Sequence, residues 1–392
     1  MSDFHEQTQI IERKQQSIDD ASEEQRSSND EIDYLASSYP SPLQQSAKKP
    51  LRVLVVTGHY PTECKPHANT FIKTQVDSLI AAGVEVEVIY PKPGPFLFRY
   101  ISIAMRVFLK TLRGRFDIVH GHYGQWCLLP RLQWTTPVVA SFLGSDLLGA
   151  VALDGRLTKK GVIIIFISRW LCRRVDAVTV KTEEMKKAVP GNNVIVYPDG
   201  IDFELFRPIP RAEARTVLGW DQDRYYVLFG NDPQRPVKNY PLAQAAVERL
   251  RARGVTAELV VASGLPQTIL VQYINACNAL ILSSISEGSP NIVKEAMACN
   301  VPVVSTDVGD VFEVICRTRG CRVCAHNPDS LAEALEEVLQ HTEPTTGRAD
   351  IAHLERSIIA QQIIAVYEQV ASKKEHIKTH MFEKEKVDGN NR

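Results

Sequence analysis

Between residues 51 and 372 the chain alternates short apolar runs with stretches of helical periodicity, and this alternation limits the fold more than any other feature. Arg52-Val-Leu-Val-Val is a near-continuous apolar run of the kind buried on both faces of a parallel sheet. The loop His59-Tyr60-Pro61 leads into a helix marked by Phe71, Val76, Leu79 and Ile80, which stops at Gly83. Strands follow at Val84–Tyr90, Phe116–His120, Pro137–Ser141, Ala177–Lys181 and Val194–Tyr197. A second series opens at Tyr225, with a helix over Pro241–Arg253 and strands at Ala257–Ala262, Ala279–Ser283 and Val301–Ser305. The Pro- and Gly-containing stretch from Pro198 to Pro208 separates the two series. The pattern predicts an α/β chain of two Rossmann-like, doubly wound domains, residues 51–200 and 201–345, with the carboxyl ends of both sheets facing one cleft.

Composition narrows the function. Lys and Arg total 45 against 46 Asp and Glu, so no global cationic field exists to draw in nucleic acid. The longest purely apolar run, Val162–Ile167, falls far short of the roughly 20 residues a spanning helix needs. The first thirty residues hold no apolar segment of the secretory kind, and the expected compartment is the reducing cytoplasm. Residues 1–50 and 373–392 are polar and charged, and they are expected to be mobile tails. Cys321 and Cys324 form a lone C-x-x-C. A redox or metal role is one reading; two small, half-buried side chains in a strand-to-helix connection is the simpler one, since no second pair completes a zinc site.

Residues 96–115 form a basic amphipathic helix in which Arg99, Arg106, Lys110 and Arg113 share one stripe. Two roles fit it. It could cover the first sheet with its stripe in water, or make a peripheral contact with an anionic bilayer at the cytoplasmic face.

The segment Ser286–Ala298 carries the most chemistry. A strand should end near Ser284, with Ser289 as N-cap and Pro290 at the first helical position. The free N–H groups and dipole at such a helix start attract an anion, and Gly288 lets a ligand approach the backbone. Glu287 precedes the helix and Glu295 falls in its second turn, where a carboxylate could accept two hydrogen bonds from a ribose diol. The alternative is that Glu287 only complements the dipole and Glu295 is surface charge. Arg235 and Lys238, three apart in the first strand-to-helix loop of the second domain, could reach a diphosphate at that helix start, or could be cations in a solvated loop.

Glu287–Gly309, read E-G-S-P-N-x3-E-A-M-A-C-N-x-P-V-V-S-T-D-V-G, resembles the E-x7-E signature of glycosyltransferase family 4, retaining enzymes of GT-B architecture. The likeness runs from about Arg52 to Tyr367 and includes Asp117-Ile-Val-His-Gly-His, Pro198-Asp-Gly-Ile-Asp with Phe206, and the Arg235 and Lys238 pair. It implies that Lys238 and Arg235 neutralise the diphosphate of a UDP- or GDP-sugar, that Glu295 binds ribose, and that Glu287 contacts the transferred sugar. Gly288, Ser289, Pro290, Asn291 and Ile292 would hold the diphosphate and sugar. It further implies a glycan or lipid-linked acceptor, no metal and no resident cofactor, and a helix in residues 346–372 that crosses back to the first domain. Two positions depart from the family pattern. Asn69 stands where a glycine is common, and Leu143 where a sugar-contacting His is common. His120 and His122 are candidates to supply that contact, with Asp146 and Asn69 as further sugar or acceptor contacts. A nucleotide-sugar epimerase or phosphorylase on the same fold remains an alternative, as does a non-catalytic binding subunit, which Leu143 keeps open.

Overall fold

The computed structural model describes residues 49–62, 69–152, 156–191, 193–340 and 343–389, so all but the end of the tail expected over 1–50 lies outside the described residues. The first domain is a six-stranded sheet of β1 (Arg52–Thr57), β2 (Glu85–Ile89), β3 (Ile118–His122), β4 (Val138–Ser141), β5 (Ala177–Val180) and β6 (Val194–Val196), in the order β2-β1-β3-β4-β5-β6. The second is a five-stranded sheet of β7 (Tyr225–Phe229), β8 (Ala257–Val261), β9 (Ala279–Leu282), β10 (Val303–Thr306) and β11 (Arg322–Cys324), in the order β11-β10-β9-β7-β8. Every pairing in both sheets is parallel. Buried strands of this kind need covering on both faces, which is why Leu54 and Val56 pack to one side of β1 while Val53 and Val55 pack to the other.

The covering helices are α1 (Thr70–Ala81), α2 (Phe96–Leu112), α3 (Lys159–Cys172), α4 (Tyr240–Ala252), α5 (Gln267–Ala276), α6 (Asn291–Ala298), α7 (Pro328–Gln340) and α8 (Arg356–Gly389), with shorter helical turns between them. Among the described residues no helix is long and apolar enough to cross a membrane. Asn69, where the resembled family commonly has a glycine, enters α1 with φ 51° and ψ 51°, a left-handed geometry that Asn tolerates better than most residues.

Two expectations are corrected. The strand at β11 was hidden because three residues are too few to show alternation; Cys321 and Cys324 are therefore buried at a sheet edge and not half-buried in a connection. Burial pushes both thiols up to about 12, which keeps them protonated and unreactive. The last helix does not stop near residue 372 but continues to Gly389, through a Lys- and Glu-rich sequence with strong helix propensity.

The two domains are joined by two adjacent crossings. Ile201 bridges Glu355 in parallel, donating to the Leu354 carbonyl at 2.9 Å and accepting from Arg356 N–H at 3.0 Å. Arg356 also binds Asp202 and Glu204, its Glu204 contact being 2.9 Å. From this double hinge α8 packs on α1 and β3, and Tyr367 OH lies 2.6 Å from His120 Nδ1.

Candidate active site

Each sheet order reverses at a switch point, β1/β3 in the first domain and β7/β9 in the second, and ligands in open α/β sheets bind beyond the carboxyl ends of such strands. Both switch points open on one cleft here. A cavity of about 660 Å³ is lined by Thr57, Gly58 and Tyr123 from the first domain and by Arg235, Lys238 and the Ser286–Asn291 loop from the second. A neighbouring cavity of about 410 Å³ sits against Gly230, Asn231, Gly264, Ile292 and Glu295, and it shares Arg235, Lys238, Pro290 and Asn291 with the first.

Lys238 is a buried cation that lines both cavities. It ends a short 3-10 turn, Pro236–Lys238, whose following residue Asn239 takes φ 48° to start α4. Its Nζ lies 2.5 Å from Glu287 Oε1, and Ser284 Oγ donates to the same carboxylate oxygen at 2.7 Å. Ser283 Oγ holds the Lys238 and Asn239 carbonyls at 3.2 and 3.0 Å, tying the lysine loop to the end of β9. Arg235 is exposed and lines both cavities, so its guanidinium is available to a ligand.

The helix start lies one residue later than the sequence suggests. α6 begins at Asn291 with Pro290 as N-cap, and no side chain caps it, which leaves its first N–H groups facing the cleft. Ser289 is diverted from capping: its Oγ donates to Asp310 Oδ2 at 2.5 Å and accepts from Lys294 Nζ. Lys294 is fully buried and lies 3.5 Å from Asp310, so a lysine, a serine and an aspartate brace the loop from behind. Gly288 is needed for closure. A Cβ there would come within 2.5 Å of the Leu143 carbonyl, and one on Gly309, at φ +60°, would lie 2.3 Å from the Gly288 carbonyl. The cleft is therefore closed here with the two domains touching backbone to backbone.

Glu295 projects from the second turn of α6 into the smaller cavity, and burial raises its carboxyl from 4.5 to about 7, partly opposed by Lys294. Asn231 Nδ2 and Asn291 Oδ1 are buried without a hydrogen-bond partner among the described residues, two polar atoms at the cavity walls that a ligand could satisfy. Asp199 in the linker lines the larger cavity, with Lys181 2.7 Å from Oδ1 and Asn291 Nδ2 3.4 Å from Oδ2. It thus connects the first domain, the hinge and α6.

The structure does not bring His120, His122 and Asp146 to the cavity. His120 spends both ring nitrogens on Tyr367 and, at 2.7 Å, on Ser141 Oγ. Its pKa is held well below the ordinary value by burial, His122 and Lys181. His122 is equally buried and lowered to about 3, by burial first and Lys181 second. Both are neutral members of the packing among β3, β4, α1 and α8. Asp146 accepts from the N–H groups of Gly124, Leu143 and Gly144, each at 2.9 Å, and so shapes the loop that carries Leu143 without reaching the cleft. Asn69 and Leu143 do line the larger cavity. Sequence reasoning missed Lys294, Asp310, Lys181 and Tyr123. Tyr123 lines the cavity at φ 71° and ψ 122°, a strained conformation that no sequence pattern announces.

Two all-parallel domains, double-hinged and closed on a cleft that presents two cations and an uncapped helix start, define the GT-B class of fold. Comparison with known proteins agrees. Residues 18–205 match the family model for Glycosyltransferase Family 4, and residues 205–341 that for Glycosyl transferases group 1. A D-inositol 3-phosphate glycosyltransferase of Paenarthrobacter aurescens is 23% identical over 361 residues, covering 73% of this chain and 88% of that protein. Two solved structures share the fold: sucrose-phosphate synthase from Thermosynechococcus elongatus (TM-score 0.65, 17% identity, 82% of this chain and 100% of that one) and Anabaena Alr3699/HepE in complex with UDP and glucose (TM-score 0.57, 14% identity, 83% and 100%). The chain belongs to glycosyltransferase family 4, and it is a glycosyltransferase.

Proposed function

We propose that the protein is a retaining, metal-independent glycosyltransferase that moves a sugar from a UDP- or GDP-sugar to a glycan or lipid-linked acceptor. The observation that carries this reading is the convergence of Lys238, Arg235, Glu287, Glu295 and the uncapped start of α6 on two adjoining cavities. In this scheme the ribose lies in the smaller cavity with its diol on the Glu295 carboxylate. The diphosphate spans the shared wall, where it meets the α6 N–H groups and the two cations. Lys238 then turns from Glu287 to the phosphate, freeing Glu287 for the sugar. The bond from the anomeric carbon to the phosphate oxygen breaks, the acceptor oxygen bonds to the same face, and its proton passes to the departing phosphate. Charge builds on that leaving group, and the cations stabilise it there. The enzyme would act at the cytoplasmic face of a membrane, with residues 96–115 as its peripheral contact.

Thermal stabilisation by UDP, GDP, ADP and their sugar conjugates, with and without EDTA and beside Glu295→Ala, tests the donor site. A ligand at a hundred times its dissociation constant adds about 2.7 kcal/mol. A shift specific to one base, insensitive to EDTA and lost in the variant, is expected. No shift with any nucleotide would overturn the proposal. Donor binding with neither transfer nor hydrolysis would favour the binding-subunit alternative that Leu143 suggests.

A further inference from the structure

The helix α2 has apolar residues on two faces, and the fold uses only one. Ile103, Val107 and Thr111 are buried against the sheet. On the other side Phe98, Ile101, Met105, Leu109 and Leu112, spaced 3, 4, 4 and 3, form a stripe between 48% and 68% exposed. α3 repeats the arrangement. Gly161, Ser168, Leu171 and Cys172 pack inward, while Val162, Ile163, Phe166 and Trp170 point out, Phe166 at 75% exposure.

Strand alternation puts both helices on one side of the first sheet. Leu54, Val56 and Val119 pack with α2, and Ala140 and Val178 with α3, whereas Val53, Val55, Ile118 and Val139 face the opposite layer. The outward residues therefore belong to one broad face, far more apolar than the scattered exposure of an ordinary surface. Its charge is one-sided. Residues 96–115 and 156–174 contain Arg and Lys but no Asp or Glu, in a chain whose charges otherwise balance. Within it Lys110 reaches Glu87 of β2 at 2.7 Å and Arg174 stacks over Trp170 at 5.0 Å. Apart from Glu87, which neutralises Lys110, the charges of the two helices are all cationic, and apolar side chains among such cations match the acyl boundary and phosphates of an anionic bilayer.

We propose that α2 and α3 together form the surface on which this protein docks to a bilayer containing anionic lipid. This extends the contact proposed above for residues 96–115, on which it rests, by a second helix that brings the membrane to the cleft. α3 starts at the cavity lip: Thr158 N–H donates to the Ala150 carbonyl at 2.9 Å, Val151 bridges the exposed Leu157, and Ala150 and Val151 line the larger cavity. A lipid-linked acceptor can enter from the docked side, with its sugar end reaching the cleft and its chain remaining in the bilayer.

Co-sedimentation of the full chain with vesicles of phosphatidylcholine plus phosphatidylglycerol, and of phosphatidylcholine alone, at low and high salt, tests this. Two variants address α3, Ile163→Ser/Phe166→Ser and Lys159→Gln/Arg173→Gln, and one addresses α2, Phe98→Ser/Met105→Ser. All replace exposed residues, so unchanged melting and an unchanged nucleotide shift will mark them as folded. The wild type should bind the anionic vesicles and release in salt, with losses of about fivefold per cation removed and about tenfold per apolar side chain. If the wild type stays in the supernatant, both the α2 contact and its extension fall. If only the α2 variant loses binding, the extension to α3 falls alone. Equal, salt-insensitive binding to phosphatidylcholine refutes the anionic preference. A dimer dissolved by the α3 substitutions, without vesicle binding, assigns the face to a second copy instead.

Discussion

Replacing Glu295 with glutamine should make the donor-free protein more stable at about pH 8 while removing its hold on the nucleotide. Burial lifts this carboxyl from 4.5 to about 7. For an acid raised on folding, the stabilisation is complete below the ordinary value and is lost as pH rises through the folded one. Above pH 7 the carboxylate is charged where charge is poorly solvated, at a cost on the order of 3 kcal/mol. The side chain is only partly shielded from water, which trims the expected figure to about 2 kcal/mol. Glutamine keeps the shape and drops the charge. At about 2–4 °C per kcal/mol, Glu295→Gln should melt about 4–8 °C above the wild type at pH 8 and level with it near pH 5. Calorimetry across that range, repeated with the nucleotide that shifts the wild type, reads both effects. A variant that melts with or below the wild type at both pH values would refute the account of a carboxylate held at a stability cost for its ligand.

Lys238→Ala and Arg235→Ala should each lower turnover by about 10²–10³-fold in initial-rate assays; near-wild-type rates for both would remove them from the chemistry. His120 and His122 are neutral and buried, with folded values depressed below the ordinary 6.5. Their stabilisation is complete above 6.5 and is lost as pH falls through the folded values, for His122 down to about 3, at about 1.4 kcal/mol per pH unit for each group. Acid unfolding of His122→Gln should therefore show a shallower slope, and an unaltered slope would count against a buried neutral ring. Lys294→Met strands Asp310 and frees Ser289, so it should cost about 3 kcal/mol and raise the donor KM, with Lys294→Met/Asp310→Leu recovering most of the stability. A single variant with wild-type melting and KM would mean the brace carries nothing.

The strand series was legible because buried parallel strands write themselves as runs such as Val53–Val56, and the site was legible because Glu287, Gly288, Pro290 and Glu295 lie within one short segment. What the sequence hid depends on neighbours far along the chain. Lys294 sits between apolar positions of α6 and resembles a surface lysine until Asp310 is placed behind it. His120 and His122 end a strand at the cleft edge, where side chains commonly reach ligand, yet Tyr367 arrives from 247 residues away and closes that route. The pattern of residues 96–115 allows a role on the core or at a membrane, and its two apolar faces serve neither choice exclusively.

The return of α8 also fixes when the protein can be finished. Ile359, Ile363, Val366 and Tyr367 belong to the same core as Val53 and Val55 of the first strand. The first domain is therefore completed only by residues made after the whole of the second domain. At about 5–20 residues per second, synthesis from β6 to the end of that packing takes roughly 10–35 s, during which one side of the first sheet has α1 but not α8 over it. A nascent chain stalled after the second domain should present that half-covered face to chaperones, whereas a few dozen further residues seal it.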